Sequence, residues 1–239
     1  MTETADPQAD YWGDLDGVPI HFPVVVDDMN QLTLTYSVPL DAAQGLLPGD
    51  GFDVVETEPG KAMFVVSIVD YVTNPWGDYN EVNFGFIVSS RTDPEVSGAF
   101  VYRMPVNEEF TCKAGNQVMG LPKTVEDLTF DYVDGTVTVD LAMGGEATLK
   151  VTFPDEAPVM DASMTETLTF SYLGGGPTAI PLEIEIGGAM IDPDNITVEL
   201  GGSAVADELR SLGLPDAQPD MALWGKGLRG TFQRPYSIG

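Results

Sequence analysis

No lysine or arginine occurs before Lys61, and the 239-residue chain carries only ten of them against 38 acids, a formal net charge of −28. A surface so negative repels nucleic acid and anionic membrane, which makes both poor partners. The acids are scattered rather than set at ligand spacing, so they read as a solubility device more readily than as a cation-binding surface. One cysteine, Cys112, excludes an internal disulfide and a thiolate zinc cluster. The only histidine, His21, has no second histidine to complete a metal site and no G-x-S-x-G elbow to complete a nucleophilic triad. Residues 1–16 are acidic and polar, without the basic and apolar regions of a signal peptide, and read as a flexible lead. No apolar run approaches a membrane span. A G-x-G-x-x-G fingerprint is missing, and the GGGP stretch at Gly174–Pro177 is a turn, since no helix-opening Gly-Lys-Ser/Thr follows it. The expectation is a soluble, cytoplasmic protein.

What the chain does have is apolar residues alternating in strand fashion. At 43% hydrophobic it can bury a sizeable core, and residues 17–239 are expected to form one domain. Asn30–Val38 places Leu32, Leu34 and Tyr36 on one face and Thr33 and Thr35 on the other. Lys61–Val72, Asn80–Ser90 and Gly98–Val106 read as long strands. Leu128–Val133, Thr136–Met143 and Glu146–Phe153 form a meander turned at Asp134–Gly135 and Gly144–Gly145. Thr165–Tyr172, Pro181–Ile186 and Ile196–Leu200 continue the pattern. Short helices are expected at Ala42–Leu47, capped by Asp41, at Asn107–Gly120, and at Ala204–Leu212. The fold class is mainly β (α+β): a largely antiparallel barrel or sandwich with a few short helices.

Five lysines are available for amine chemistry: Lys61, Lys113, Lys123, Lys150 and Lys226. Lys61 and Lys150 read as surface charges. Lys123 follows the stop signal Gly120-Leu121-Pro122 and has an apolar approach through Val118, Met119, Leu121 and Val125. Low dielectric around a lysine stem favours the free amine, the form that attacks a carbonyl. A lysine after a loop is, however, most often solvated.

The segment Ala114–Lys123 (AGNQVMGLPK) resembles the lysine motif of acetoacetate decarboxylases and their relatives, roughly A-G-R-E-x-x-G-x-P-K. Upstream, Asp78-Tyr79-Asn80-Glu81-Val82 resembles the Y-x-E segment of the same family, and the 42-residue separation of Glu81 from Lys123 is close to that family's spacing. The likeness covers the chain up to about residue 155 and becomes vague beyond. It implies an acetoacetate decarboxylase-like β-barrel in which Lys123 is a Schiff-base nucleophile and Glu81 a polar or proton-shuttling group, with no metal and no organic cofactor. Tyr79, Gln117 and Met119 would then lie near the substrate, a small oxo acid or ketone, and homo-oligomers are expected.

Departures from the motif are as informative. The decarboxylases carry a second lysine where Thr124 stands, so this chain must free its amine by burial alone. Their Arg-Glu pair is replaced by Asn116 and Gln117, and an N-terminal arginine is missing. Arg229 or Arg234 could supply a carboxylate clamp instead, or the run Trp224–Tyr236 could be a basic tail on an acidic surface. Tyr71, Trp76, Tyr79, Phe84, Phe86 and Tyr102 could line an apolar pocket, though strand aromatics are usually core. The pattern leaves open a decarboxylase, an aldolase or dehydratase using the same iminium, and a barrel that only binds small or apolar molecules.

Overall fold

A computed structural model describes residues 10–239. A hairpin, β1 (Tyr11–Leu15) and β2 (Val18–His21), leads into the long β3 (Val24–Pro39) and α1 (Leu40–Leu46). Then come β4 (Phe52–Val54), β5 (Glu56–Glu58), β6 (Lys61–Thr73), β7 (Tyr79–Ser90) and β8 (Ser97–Val106). The helix α2 (Glu109–Ala114) runs on into a π-helical turn, Gly115–Met119, followed by the short β9 (Lys123–Val125). A meander of β10 (Asp127–Val133), β11 (Thr136–Met143) and β12 (Glu146–Pro154) precedes the long hairpin β13 (Met160–Leu173) and β14 (Gly176–Met190). The chain closes with β15 (Thr197–Leu200), α3 (Ala204–Ser211), β16 (Met221–Phe232) and β17 (Tyr236–Ser237).

Seven strands close into a barrel in the order β7-β6-β3-β16-β14-β13-β8, with β8 returning to β7. The wall is antiparallel except where β13 meets β8 in parallel at Thr169–Ala99 and Phe170–Phe100. Side-chain alternation along the strands decides what each face becomes. Even-numbered residues of β6, β7 and of β3 from Leu32 onward, including Leu32, Leu34, Phe64, Phe84 and Phe86, point outward; before the register shift at Asp28–Met29 the alternation of β3 is reversed, and Val24 and Val26 border the interior. The outward residues pack against Leu128, Val139, Leu149 and Phe153 of a second, four-stranded sheet, β10-β11-β12-β15. This layer between barrel and sheet is the main core. Truncating one of its buried phenylalanines to alanine costs about 3–5 kcal/mol.

Odd-numbered residues of the same stretches face inward. Thr33, Ser67, Val69, Glu81 and Asn83 thus border a cavity of about 310 Å³ inside the barrel. The aromatic residues divide by the same rule. Tyr71, Trp76 and Tyr79 line the cavity, whereas Phe84, Phe86 and Tyr102 belong to the outer core, so the six divide between the pocket and core readings that the sequence left open.

The expected strands all occur, most of them longer than the periodicity indicates. Helix starts differ. Pro39 rather than Asp41 precedes α1 at the cap position, and Glu108 rather than Asn107 caps α2, accepting a 2.6 Å hydrogen bond from the Thr111 amide. Asn107 instead ties strands together, accepting from the Asn80 amide at 2.8 Å and donating to the Leu128 carbonyl at 3.3 Å. The acidic lead falls partly outside the described residues, and its Tyr11–Leu15 portion is a strand with Leu15 buried. The run from Trp224 is no tail: most of it is β16, a barrel strand between β3 and β14. Among the described residues no helix is long and apolar enough to cross a membrane.

Candidate active site

The strand β8 changes neighbours along its length. Its first half pairs with β13, and its second half, Met104–Val106, pairs in parallel with Lys123–Val125 of β9. That exchange brings Lys123 into the wall and sends its side chain inward, while Thr124 and Val125 are exposed. Thr124, at the place of the decarboxylases' second lysine, therefore does not face the cavity. Val125 is 48% exposed and takes no part in the apolar approach, which Val118, Met119 and Leu121 do form.

The turn before Lys123 is built to hold it. Gly120 ends the π-helical turn at φ 68°, a left-handed conformation in which a Cβ would also lie 2.5 Å from the Tyr172 carbonyl oxygen. Asn116 then clamps the backbone of Lys123 from both sides: its Oδ1 accepts from the Lys123 amide at 2.8 Å, and its Nδ2 donates to the Lys123 carbonyl at 3.0 Å. The lysine stem passes directly over Gly115, where a Cβ would stand 2.6 Å from Lys123 Cδ and 2.7 Å from Cε. A π-helical turn is rare and recurs at functional sites; here it sets Gly115 and Asn116 around one side chain.

At the end of that stem, Lys123 Nζ lies 2.6 Å from Glu81 Oε2, with both side chains only 4% exposed. Glu81 Oε1 accepts from Asn83 Nδ2 at 2.9 Å and from the Tyr71 hydroxyl at 3.3 Å. Lys123 Nζ also donates to the Tyr79 hydroxyl at 3.4 Å and sits 4.9 Å from that ring's centroid, within reach of a cation–π contact. The Tyr71 and Tyr79 rings stack, centroids 4.4 Å apart and 15° from parallel. Burial raises both phenols well above their ordinary value; the charge of Glu81 adds to this at Tyr71, and Tyr71 and Glu81 add to it at Tyr79. Both are fixed as neutral hydrogen-bonding groups.

Burial alone is thus not what surrounds the amine. A carboxylate stands beside it, and a free amine can arise by passing one proton across the 2.6 Å contact to Glu81, which replaces two buried charges with two neutral groups. The arrangement can therefore present a neutral nucleophile and a carboxylic acid together.

Of the residues singled out in the sequence, Lys123, Glu81, Tyr79 and Met119 border the cavity. Gln117 is exposed on the π-helical turn and does not. Arg229 is 63% exposed and engages Glu185 at 2.6 Å, and Arg234 donates to the backbone carbonyls of Asp10 and Tyr11. Neither arginine borders the cavity, so neither supplies the anticipated carboxylate clamp. His21 lies outside it as well, its ring tilted by 49° against that of Tyr11 at 5.3 Å between centroids. Burial raises the half-buried Cys112 thiol, which argues against a nucleophilic thiolate. Sequence reasoning overlooked Asn83 and Gly115. Asn83 could have been found from Glu81, since residues two apart in a strand share a face.

No curated protein matches the chain in sequence. Among solved structures, acetoacetate decarboxylase from Legionella pneumophila superposes with a TM-score of 0.66 at 16% identity, over 91% of this chain and 87% of that one. An acetoacetate decarboxylase-like enzyme from Sphingomonas wittichii gives 0.61 at 14% identity, over 97% and 99%. The enduracididine biosynthesis enzyme MppR, complexed with pyruvate, gives 0.59 at 14% identity, over 91% and 90%. At such identities the likeness shows the fold, and it extends through the C-terminal third where the sequence motif fades. The family described as acetoacetate decarboxylase (ADC) matches residues 7–184, a span that holds both Glu81 and Lys123 and most of the barrel wall. By that match the chain belongs to the acetoacetate decarboxylase family.

Proposed function

We propose that the protein is a lyase acting on a small oxo acid or ketone through a Schiff base on Lys123. The observation that carries this reading is the enclosed Lys123–Glu81 pair at 2.6 Å, in a cavity whose lining holds no other cation among the described residues. Glu81 accepts the ammonium proton, and the free amine adds to the substrate carbonyl carbon. The resulting carbinolamine loses water, with Glu81 returning its proton to the departing oxygen, and leaves an iminium. That iminium takes up the electron pair of a bond at the adjacent carbon: a carbon–carbon bond in decarboxylation or retro-aldol cleavage, or a carbon–hydrogen bond in dehydration. In dehydration the enamine then expels a β-hydroxyl, which leaves with its own bonding pair and a proton as water, so all three reactions are open to the iminium. Tyr79, 3.4 Å from Nζ, is placed to hydrogen-bond the carbinolamine oxygen. That a protein of the same fold binds pyruvate supports a small carbonyl compound as ligand.

A second reading, a barrel that binds but does not turn over its ligand, draws on Thr124 standing exposed where the decarboxylases have a second lysine. Borohydride trapping separates the two. Wild-type protein incubated with ketones and oxo acids is expected to gain a stable mass adduct that Lys123→Ala does not. Absence of any adduct between pH 6 and 9, with ligand binding intact, would favour the binding protein. We further propose homo-oligomers promoted by salt, because screening relieves the repulsion between chains of charge −28. Light scattering at low and high ionic strength tests this, and a constant mass would count against it.

A further inference from the structure

The Schiff-base reading fixes the head of the substrate and leaves its body open. Three features of the barrel interior bear on that body. First, among the described residues Lys123 is the one cation in the lining of the cavity, and Glu81 already neutralises it. The other acid there, Glu185, is engaged by Arg229 from outside. An anionic substrate would bring a carboxylate into a mainly apolar space with no free cation, and a buried unpaired charge is strongly disfavoured. The proton transfer that frees the amine leaves Lys123 and Glu81 both neutral, so no cation then remains in that lining to pair with a carboxylate.

Second, away from the pair the wall is mainly aliphatic: Val65, Val101, Ile180, Leu182 and Leu223 border the space, interrupted by hydroxyls such as Thr33 and Thr169. Third, the space is long. Ala99 borders it five positions before Met104, the residue paired with Lys123, which is roughly 16 Å along a strand. A volume of about 310 Å³ corresponds, at ~30 Å³ per water-sized group, to roughly ten non-hydrogen atoms. A three-carbon oxo acid would leave much of it unfilled.

We infer that this barrel takes an uncharged ketone or aldehyde with an aliphatic tail, its carbonyl at Lys123 and its tail running along the aliphatic interior toward Ala99, in preference to a small oxo acid. The inference rests on the Lys123 reading for the carbonyl end only. With such a substrate the iminium serves aldol cleavage or dehydration rather than loss of carbon dioxide.

The test is a series of methyl ketones from acetone to 2-octanone, with pyruvate and acetoacetate alongside, read by borohydride trapping and intact mass. Lys123 Nζ adds to the carbonyl carbon, the carbonyl oxygen leaves as water, and borohydride delivers hydride to the iminium carbon. The protein therefore gains the mass of the ketone less one oxygen. The concentration giving half-maximal trapping is expected to fall about fourfold per methylene until the cavity is full. Pyruvate is expected to need at least tenfold more than 2-pentanone, which matches it in non-hydrogen atoms. Ala99→Leu should move the best ketone to a shorter one.

A flat ketone series, or oxo acids trapped as well as matched ketones, would overturn the inference and leave the Schiff base standing. Absence of adducts from every carbonyl would overturn the Schiff base instead. The tail is then still read by calorimetry of the same ketones on Lys123→Ala, where the gain per methylene should persist and a flat series sinks it.

Discussion

Two acid–base pairs hold the two acids that border the cavity, and they differ in depth. Lys123–Glu81 is closed off, each side chain 4% exposed, with Asn83 and Tyr71 both donating to Oε1 of the carboxylate. Arg229–Glu185 has the same 2.6 Å separation, yet its guanidinium is 63% exposed and its carboxylate 13%. Equal distances therefore conceal unequal energetics. In the first pair each charge has lost its water and depends on the other, so removing one partner strands the second. In the second pair, solvent already screens the cation, and the contact adds little. A buried pair of that kind is a costly way to hold a fold together, and its placement at the end of a cavity is better explained by chemistry.

Breaking the deep pair should have the largest effect. Lys123→Met leaves Glu81 buried without its cation and is expected to destabilise the fold by about 3 kcal/mol. The double variant Lys123→Met with Glu81→Gln should recover most of that, because the introduced amide keeps an acceptor for Asn83 and Tyr71 and no charge remains. Urea unfolding of the wild type and the variants measures this. Equal stability of the single and double variants would show that the pair's two charges do not depend on each other.

Gly115 tests the same site without touching charge. Gly115→Ala puts a methyl where Lys123 Cδ now lies 2.6 Å away, and the contact is with a side chain that can shift. Trapping of carbonyls is expected to fall by tenfold or more while the unfolding midpoint moves only slightly. Unchanged trapping would mean that the lysine reaches its position by another path.

The phenols beside the deep pair give a smaller, pH-dependent effect. Tyr71 and Tyr79 are raised above the ordinary phenol value of 10.0 by burial first of all. The folded state thus holds protons that the unfolded chain gives up, so the stability they contribute is complete below pH 10.0 and is lost as pH rises through their folded values. Alkaline unfolding should therefore coincide with the ultraviolet signal of phenolate formation. Tyr71→Phe should make the stability curve flatter above pH 10.0. A phenolate signal well before unfolding would contradict their burial.

The same contrast of depth explains what the sequence made legible. Strand periodicity, hairpin turns and the lysine motif are local signals, and the strands, meander and position of Lys123 follow from them. Whether a strand residue faces the cavity or the outer core is fixed by parity within the strand, but which parity is inward depends on how the barrel closes. That is why periodicity alone does not separate Phe84, Phe86 and Tyr102 from Tyr71 and Tyr79. Arg229 and Arg234 suggested a clamp through their chemistry alone, and it took the pairing of β16 between β3 and β14 to show that Arg229 stays outside. The contacts of Arg234 with Asp10 and Tyr11 show the same for it. Gly115 is visible in the sequence as part of a motif, but its purpose depends on the course of a lysine stem eight residues later.

The shallow pair should give the smallest effect. Arg229→Ala removes the guanidinium contacts but leaves the backbone amide of position 229 donating to Glu185 Oε2 at 2.9 Å, so the carboxylate keeps a partner. Hydrogen bonds from the Arg229 side chain are the main cause holding the Glu185 carboxyl below its ordinary value of 4.5. A lowered carboxyl contributes stability that is present above 4.5 and is lost as pH falls through its folded value. In Arg229→Ala the Glu185 titration followed by NMR should move up toward 4.5. The unfolding midpoint at neutral pH should hardly change, and any difference from wild type should vanish in acid. A drop at neutral pH comparable to that of Lys123→Met would show that the rim pair is as desolvated as the deep one, and the distinction of depth would fail.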